Sequence, residues 1–150
     1  MSEELFEERK DNFLISTDKS KLDVNLIHNY LSNDSYWANG IPFDTVKKSI
    51  DNAVCFGLYE NDKQIGFARV VTDKATFGYL GDVFILESHR GKGLSKWLME
   101  CILKHPELQG FRRWILLTRD AQSLYEQFGF TQFHAPDRCM ELWFPDVYKK

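Results

Sequence analysis

The chain has 150 residues, which fits one domain able to bury roughly 70% of its unfolded surface without disulfides. A formal net charge of -3 offers no basic field, so nucleic acid is not an expected partner. The three cysteines form no Cys-x-x-Cys pair, and no apolar run approaches the roughly 20 residues of a membrane span. We therefore expect a soluble, cytoplasmic protein with reduced thiols.

The N-terminal part is predicted to begin with a charged lead-in over residues 1–11, followed by a single domain over 12–150. Phe13–Ile15 is short and apolar, which is typical of a strand. Apolar residues from Val24 to Leu31 recur at helical spacing and predict a helix. The polar stretch Ser32–Pro42 is predicted to be a loop.

The middle of the chain changes from a helical to a strand period. Residues 43–50 carry apolar side chains at helical spacing and predict a second helix. Residues 54–58 and 65–71 alternate apolar and other side chains around Asn61-Asp62, which predicts a hairpin. A further strand is expected over 77–86, where glycines inside the strand favour a bulge or the close approach of another group.

The C-terminal part alternates between helices and strands. A helix beginning at Leu94 is expected to end before Pro106, and the apolar run 114–117 is typical of a central strand. Residues 121–128 form a helical face that Gly129 is placed to end. Two closing strands are predicted at Phe130–Phe133 and Met140–Phe144. This order of elements predicts a mixed α/β sheet covered by helices.

The segment most informative about function is the glycine-containing turn that joins the strand over 77–86 to the helix at Leu94. Gly91 and Gly93 allow the backbone to approach a ligand closely. The first N–H groups of the helix lack partners within it and lie at the positive end of its dipole. Arg90 and Lys92 add mobile positive charge. The turn therefore suits an anion, although these residues alone fit an ordinary solvated turn better.

Two motifs together identify a resemblance to a family. The turn fits the pattern Gln/Arg-x-x-Gly-x-Gly/Ala at Arg90, Gly93 and Ser95, where Ser95 replaces the usual Gly or Ala. A second pattern, Ala-x-x-Leu-Tyr-x-x-x-Gly-Phe, is matched by Ala121, Leu124, Tyr125, Gly129 and Phe130. Over roughly residues 12–145 the chain resembles the GNAT superfamily of N-acetyltransferases.

The resemblance implies a mixed, mostly antiparallel sheet of about six or seven strands flanked by about four helices. It also implies transfer of an acetyl group from acetyl-CoA, as cosubstrate, to a primary amine by direct attack in a ternary complex. The backbone of Val83, Phe84 and Ile85 would pair with the pantetheine arm. The pyrophosphate would be held by Arg90, Gly91, Lys92, Gly93, Leu94, Ser95 and Lys96. Thr118 stands where the family often has an asparagine that contacts the cofactor.

The candidate catalytic residues are Tyr125 and Asp82. The resemblance places Tyr125 near the thioester sulfur as a general acid, and the alternative is a tyrosine of the core. Strand residues near the split of the sheet point into the cleft in the family, so the resemblance implies Asp82 as the best-placed general base, with Glu87 and His28 as alternatives. A surface salt bridge or a solvated carboxylate is the other interpretation of Asp82. A water chain or an already neutral amine would replace any base. The four histidines show no metal spacing, so no metal is expected.

The acceptor is expected to be a small-molecule or peptide amine. In the family, the loop with Tyr36 and Trp37 borders the acceptor site, although both aromatics could instead pack on the core. Trp143 and Phe144 fit either the core or a dimer edge, so the chain is expected to be a monomer or homodimer. An alternative to catalysis is a non-catalytic acyl-CoA-binding or regulatory module, and a weaker one is a nucleotide-binding protein.

Overall fold

The structure is a computed structural model that describes residues 5–149. Its described residues form six strands and four α-helices. The strands are β1 (Glu7–Lys10), β2 (Phe13–Ser16), β3 (Val54–Glu60), β4 (Lys63–Thr72), β5 (Phe77–Ile85) and β6 (Arg113–Leu116). The helices are α1 (Val24–Asn29), α2 (Phe43–Asp51), α3 (Leu94–Lys104) and α4 (Gln122–Glu126). The chain divides into two compact units, Met1–Leu117 and Thr118–Lys150, which are described separately below.

All six strands belong to one sheet of the first unit, in the order in which they occur along the chain. Neighbouring strands are antiparallel from β1 to β5, and only β5 and β6 are parallel. The predicted mixed and mostly antiparallel sheet is therefore confirmed. The run 114–117 was expected to be central, but it contributes to β6 at the edge of the sheet and is half-exposed.

The charged lead-in is where the sequence prediction needs its first correction. Residues 7–10 form β1, which pairs with β2 from Glu7 opposite Ser16 to Lys10 opposite Phe13. The Glu8 carboxylate accepts hydrogen bonds from Cys101 Sγ and Lys104 Nζ at 2.8 and 3.3 Å, which fixes the strand to α3. The first four residues of the predicted lead-in lie outside the described part of the chain.

The predicted hairpin between β3 and β4 is confirmed. Asn61 and Asp62 both have positive φ, 50° and 69°, as the two-residue turns that match strand twist require. Adjacent β3 residues point to opposite faces of the sheet. Cys55 Sγ donates to the Ile50 carbonyl at the end of α2, whereas the Phe56 ring packs against His105 after α3. Helices α2 and α3 therefore cover opposite faces of the sheet.

The second unit contains α4 followed by irregular backbone. Gly129 has φ 92°, and the Gly129 and Phe130 N–H groups donate to the Glu126 and Tyr125 carbonyls, which ends the helix as predicted. The two predicted closing strands, 130–133 and 140–144, are not formed: the described part of this unit contains no strand. Apolar side chains remain exposed at the second of them: Met140, Leu142, Trp143 and Phe144.

Candidate active site

The two parallel strands of the sheet separate part-way along β5. Their pairing runs from Phe77 opposite Arg113 to Leu80 opposite Leu116 and stops there. Strand β5 continues to Ile85, so the described residues of the first unit place no strand beside its last five residues on that edge. Free backbone groups at a strand edge can pair with another extended chain. This edge therefore suits an extended ligand that carries amide groups.

A bulge lies in β5 at the start of this open edge. Phe67 is opposite Phe84 while Arg69 is opposite Gly81, so the single residue Ala68 faces both Asp82 and Val83. Asp82 accordingly adopts a left-handed conformation with φ 54°. Because a bulge redirects the side chains around it, Asp82 and Arg69 can meet although they lie on different strands.

Backbone directions along β5 follow from one hydrogen bond. The Leu86 N–H donates to the Ile65 carbonyl at 2.9 Å, and hydrogen-bonded and non-bonded pairs alternate along an antiparallel ladder. The backbone groups of Ile85 therefore point away from β4, whereas those of Phe84 point toward it. Of the predicted pantetheine-pairing residues, Ile85 faces the open edge, Phe84 is committed to β4, and Val83 lies within the bulge.

Arg90 connects β5 with Tyr30, the residue that follows α1. Its Nε donates to the Ile85 carbonyl and its Nη2 to the Tyr30 hydroxyl, both at 3.0 Å. The Tyr30 ring stacks on Phe84 at a centroid distance of 4.0 Å and an angle of 11°. The expected mobile charge at Arg90 is therefore a fixed one. Sequence reasoning missed Tyr30, because no local spacing connects it with a residue 60 positions away.

The glycine turn has the conformation that an anion-binding backbone requires. Gly91 and Gly93 have φ of 81° and 75°, and no heavy atom lies within 4 Å of a Cβ built on either of them. Helix α3 starts directly afterwards with 11 residues and no side-chain cap. Buried Leu94 holds its first turn on the core, while Lys92 and Lys96 are exposed. The uncovered N–H groups and open space fit a pyrophosphate.

A histidine fixes the start of this turn. His89 contacts Glu60 Oε1 through Nε2 at 2.9 Å and Ser88 Oγ through Nδ1 at 2.7 Å. The hydrogen bond to His89 holds the pKa of the Glu60 carboxyl below its usual range. Since Glu60 ends β3, the contact attaches the turn to the sheet and places His89 beside the loop rather than within it.

The predicted base Asp82 is already occupied by two donors. Its Oδ2 accepts from Arg69 Nε and its Oδ1 from Trp37 Nε1, both at 2.8 Å. Its side chain is 10% exposed, and that of Arg69 is 19% exposed. This arrangement suits a residue that positions Arg69 and Trp37, and the general-base role of Asp82 stays a prediction.

The alternative bases and the loop aromatics have different surroundings. His28 Nε2 lies 3.0 Å from the Ile41 carbonyl and its ring packs on Phe43, which suits a structural role. Glu87 is exposed.

Tyr36 and Trp37 form an edge-to-face pair and remain 44% and 41% exposed, so neither is a buried residue of the core.

Comparison with known proteins gives the family. The model of the acetyltransferase (GNAT) domain matches residues 51–132, which include the glycine turn and α4. The chain belongs to the GNAT acetyltransferase family. A relative from Gibberella zeae, named as a proposed acetyltransferase, is 35% identical, and the match covers 77% of each chain.

Solved structures confirm the GNAT fold of this chain. A structure from Xanthomonas campestris, described as a proposed acetyltransferase of the GNAT family, is 48% identical with a TM-score of 0.91. That match covers 93% of this chain and 99% of the other. A structure from Deinococcus radiodurans, also described as a proposed acetyltransferase, has a TM-score of 0.73 at 20% identity, covering 95% and 96% of the two chains. The second likeness shows the fold alone.

The remaining predicted site residues of this GNAT chain, Thr118 and Tyr125, belong to the second unit. The Thr118 hydroxyl accepts the Ala121 N–H at 3.0 Å, so it stabilises the turn that leads into α4. Tyr125 is 8% exposed and its ring lies edge-on to Phe130 at 6.0 Å. Their expected contacts with the cofactor and the sulfur stay predictions.

The described residues include neither a metal-binding cluster nor a membrane-spanning helix. Within residues 5–149, no group of three or more His, Cys, Asp and Glu side chains is arranged to hold a metal ion. In the same part of the chain, no helix has the length and apolar character needed to cross a membrane.

Proposed function

We propose that this GNAT protein transfers an acetyl group from acetyl-CoA to a primary amine in a ternary complex. The observation that carries the proposal is the continuity of two features of the first unit. The open edge of β5 leads through Arg90 into the uncapped start of α3. The open edge of β5 suits an extended arm with amide groups, and the start of α3 suits a pyrophosphate.

When bound, acetyl-CoA would supply the acetyl group as an activated thioester. The backbone N–H groups between Gly91 and Lys96 would hold its pyrophosphate, with charge from exposed Lys92 and Lys96. The Ile85 N–H points to the open edge and could donate to the acyl oxygen. Holding both reactants at this edge would supply a large part of the rate acceleration.

Of the two candidate catalytic residues, Tyr125 would transfer a proton and Asp82 would not. Tyr125 would donate a proton to the departing sulfur, a modest demand because thiols have a pKa of about 8.5. Asp82 accepts two strong hydrogen bonds already, so the amine would arrive neutral or lose its proton through water. A cytoplasmic location and a monomeric or dimeric state belong to the same proposal.

Turnover tests the proposal. Release of free thiol from acetyl-CoA should depend on added amine, and mass spectrometry should find the amine acetylated. Acetyl-CoA at 1,000 times its Kd should also stabilise the protein by about 4 kcal/mol, whereas ATP and NAD should not. Stabilisation without turnover across a broad amine panel would favour the non-catalytic acyl-CoA-binding module. Stabilisation by ATP or NAD alone would favour a nucleotide-binding protein.

A further inference from the structure

We infer that the acceptor amine also carries a carboxylate, which the terminal guanidinium N–H groups of Arg69 bind. This inference deepens the proposed function and rests on it. It comes from a cluster of side chains in the first unit, where β4 and the bulged part of β5 lie side by side: Trp37, Arg69, Tyr79 and Asp82.

Arg69 has donors left over. An arginine side chain has five N–H donors, and the Arg69 Nε alone is used by Asp82, at 2.8 Å. Among residues 5–149, neither terminal nitrogen of Arg69 has a hydrogen-bond partner. The side chain is 19% exposed, so these donors are partly withdrawn from water. A planar pair of oxygens on a ligand would match them.

The contact with Asp82 prepares Arg69 for such a ligand. The carboxylate binds Nε and so sets the plane of the guanidinium group. Its other oxygen holds the Trp37 indole N–H at 2.8 Å, which limits its capacity to take an ammonium group. The groups of this cluster that still lack partners are therefore hydrogen-bond donors, and a ligand must supply the acceptors. A carboxylate meets this demand, whereas a simple cationic amine does not.

Tyr79 adds a second donor near Arg69. Burial and the neighbouring Asp82 charge raise the pKa of the Tyr79 hydroxyl, so it stays protonated at neutral pH. Its ring lies over Gly81, where a Cβ would approach to 2.7 Å of a ring carbon. Gly81 thus leaves room for Tyr79 on the face that also carries Arg69, since Arg69 and Gly81 are paired.

The walls of the cluster add an apolar surface. Trp37 and Tyr36 are 41% and 44% exposed, and Val71, paired with Tyr79, is 41% exposed. These side chains offer contact to the carbon skeleton of an acceptor. The recognised class is therefore an amine that bears a carboxylate, as free amino acids of different chain lengths do.

Matched substrate pairs test this inference. Each member of a series of α- and ω-amino acids is compared with its amide, which keeps the amine and removes the carboxylate charge. For at least one chain length, wild-type kcat/KM should favour the amino acid by about ten- to a hundredfold, the range for hydrogen bonds to charged groups. Arg69→Gln should bring the ratio near one, mainly through KM, with an unchanged Kd for acetyl-CoA.

Two further variants exclude a general loss of structure. Arg69→Lys keeps a charge beside Asp82 but lacks the two-pronged donor, so part of the preference should remain. Arg9→Gln removes the same charge from β1, four strands from β5, and should keep the full ratio. Equal use of amino acids and amides by the wild type, or an unchanged ratio in Arg69→Gln, would overturn the inference but leave the proposed function intact. No turnover with any amine would overturn both.

Discussion

The glycine turn offers the sharpest test of how the donor is held. Gly93→Ala places a side chain on a residue with φ 75°, where left-handed backbone costs an L-residue about 1–2 kcal/mol. Apart from the adjoining residues of the chain, nothing lies within 4 Å of the added Cβ, so no clash with a distant group adds to this cost. For a chain of this size, the melting temperature should fall by about 2–8 °C.

A matched variant separates stability from binding. Gly110, in the turn before β6, has φ 78° and equally open surroundings, so Gly110→Ala should cost the same stability. Only Gly93→Ala should weaken CoA binding, because relaxation of its backbone turns N–H groups away from the anion. Loss of one charge-assisted hydrogen bond, about 1.5–3 kcal/mol, corresponds to about a ten- to hundredfold higher Kd.

Isothermal titration with CoA and thermal unfolding of the three proteins provide the assay. Dephospho-CoA and CoA should respond alike, because both carry the pyrophosphate. If Gly93→Ala and Gly110→Ala bind CoA as tightly as the wild type while both lose stability, the reasoning about the turn is refuted. Equal weakening in both variants would point to general destabilisation instead.

Three further outcomes are expected. Tyr30→Phe removes one partner of Arg90, which keeps its contact with the Ile85 carbonyl, and should raise the Kd for CoA about three- to tenfold by titration, the net contribution of a typical hydrogen bond. Tyr125→Phe should slow turnover by up to about 10² to 10⁴-fold at an unchanged Kd, and full activity with the same pH profile would exclude the acid role. Asp73 accepts from the Thr76 hydroxyl and from the backbone N–H groups of Thr76, Ala75 and Phe77, which lowers its pKa from 3.8. Its contribution to stability is therefore present above about pH 4 and lost below it, so in urea titrations Asp73→Ala should be less stable than wild type at pH 7 and approach it at low pH.

The sequence predicts the turn well because its physics is local. Two glycines followed directly by an apolar helical stripe are enough to indicate an uncapped helix start. The same holds for the Asn61-Asp62 hairpin and for Gly129, whose positive φ closes α4. In each case the decisive residues lie within a few positions of one another, so periodicity and turn chemistry carry the information.

The cluster around Arg69 could not be predicted in the same way. Arg69 and Asp82 meet because a bulge shifts the register of two strands, and Trp37 reaches Asp82 from 45 positions away. No spacing in the sequence encodes such a meeting. Predicted strands at 130–133 and 140–144 failed for a related reason, since an alternating apolar pattern forms a strand only where a partner strand is available.

Strand β5 takes part both in the site next to the glycine turn and in the cluster around Arg69. Its open edge, with the Ile85 backbone and the Arg90 contact, would bind the donor in the proposed function, whereas its bulge presents Asp82 to Arg69 and Trp37 on a face of the sheet. An edge uses backbone groups, which any sequence provides, while a face uses side chains, which differ from one protein to the next. Donor binding can therefore stay constant while acceptor choice changes, and on the role inferred for Arg69, which no motif includes, this side chain would select the acceptor.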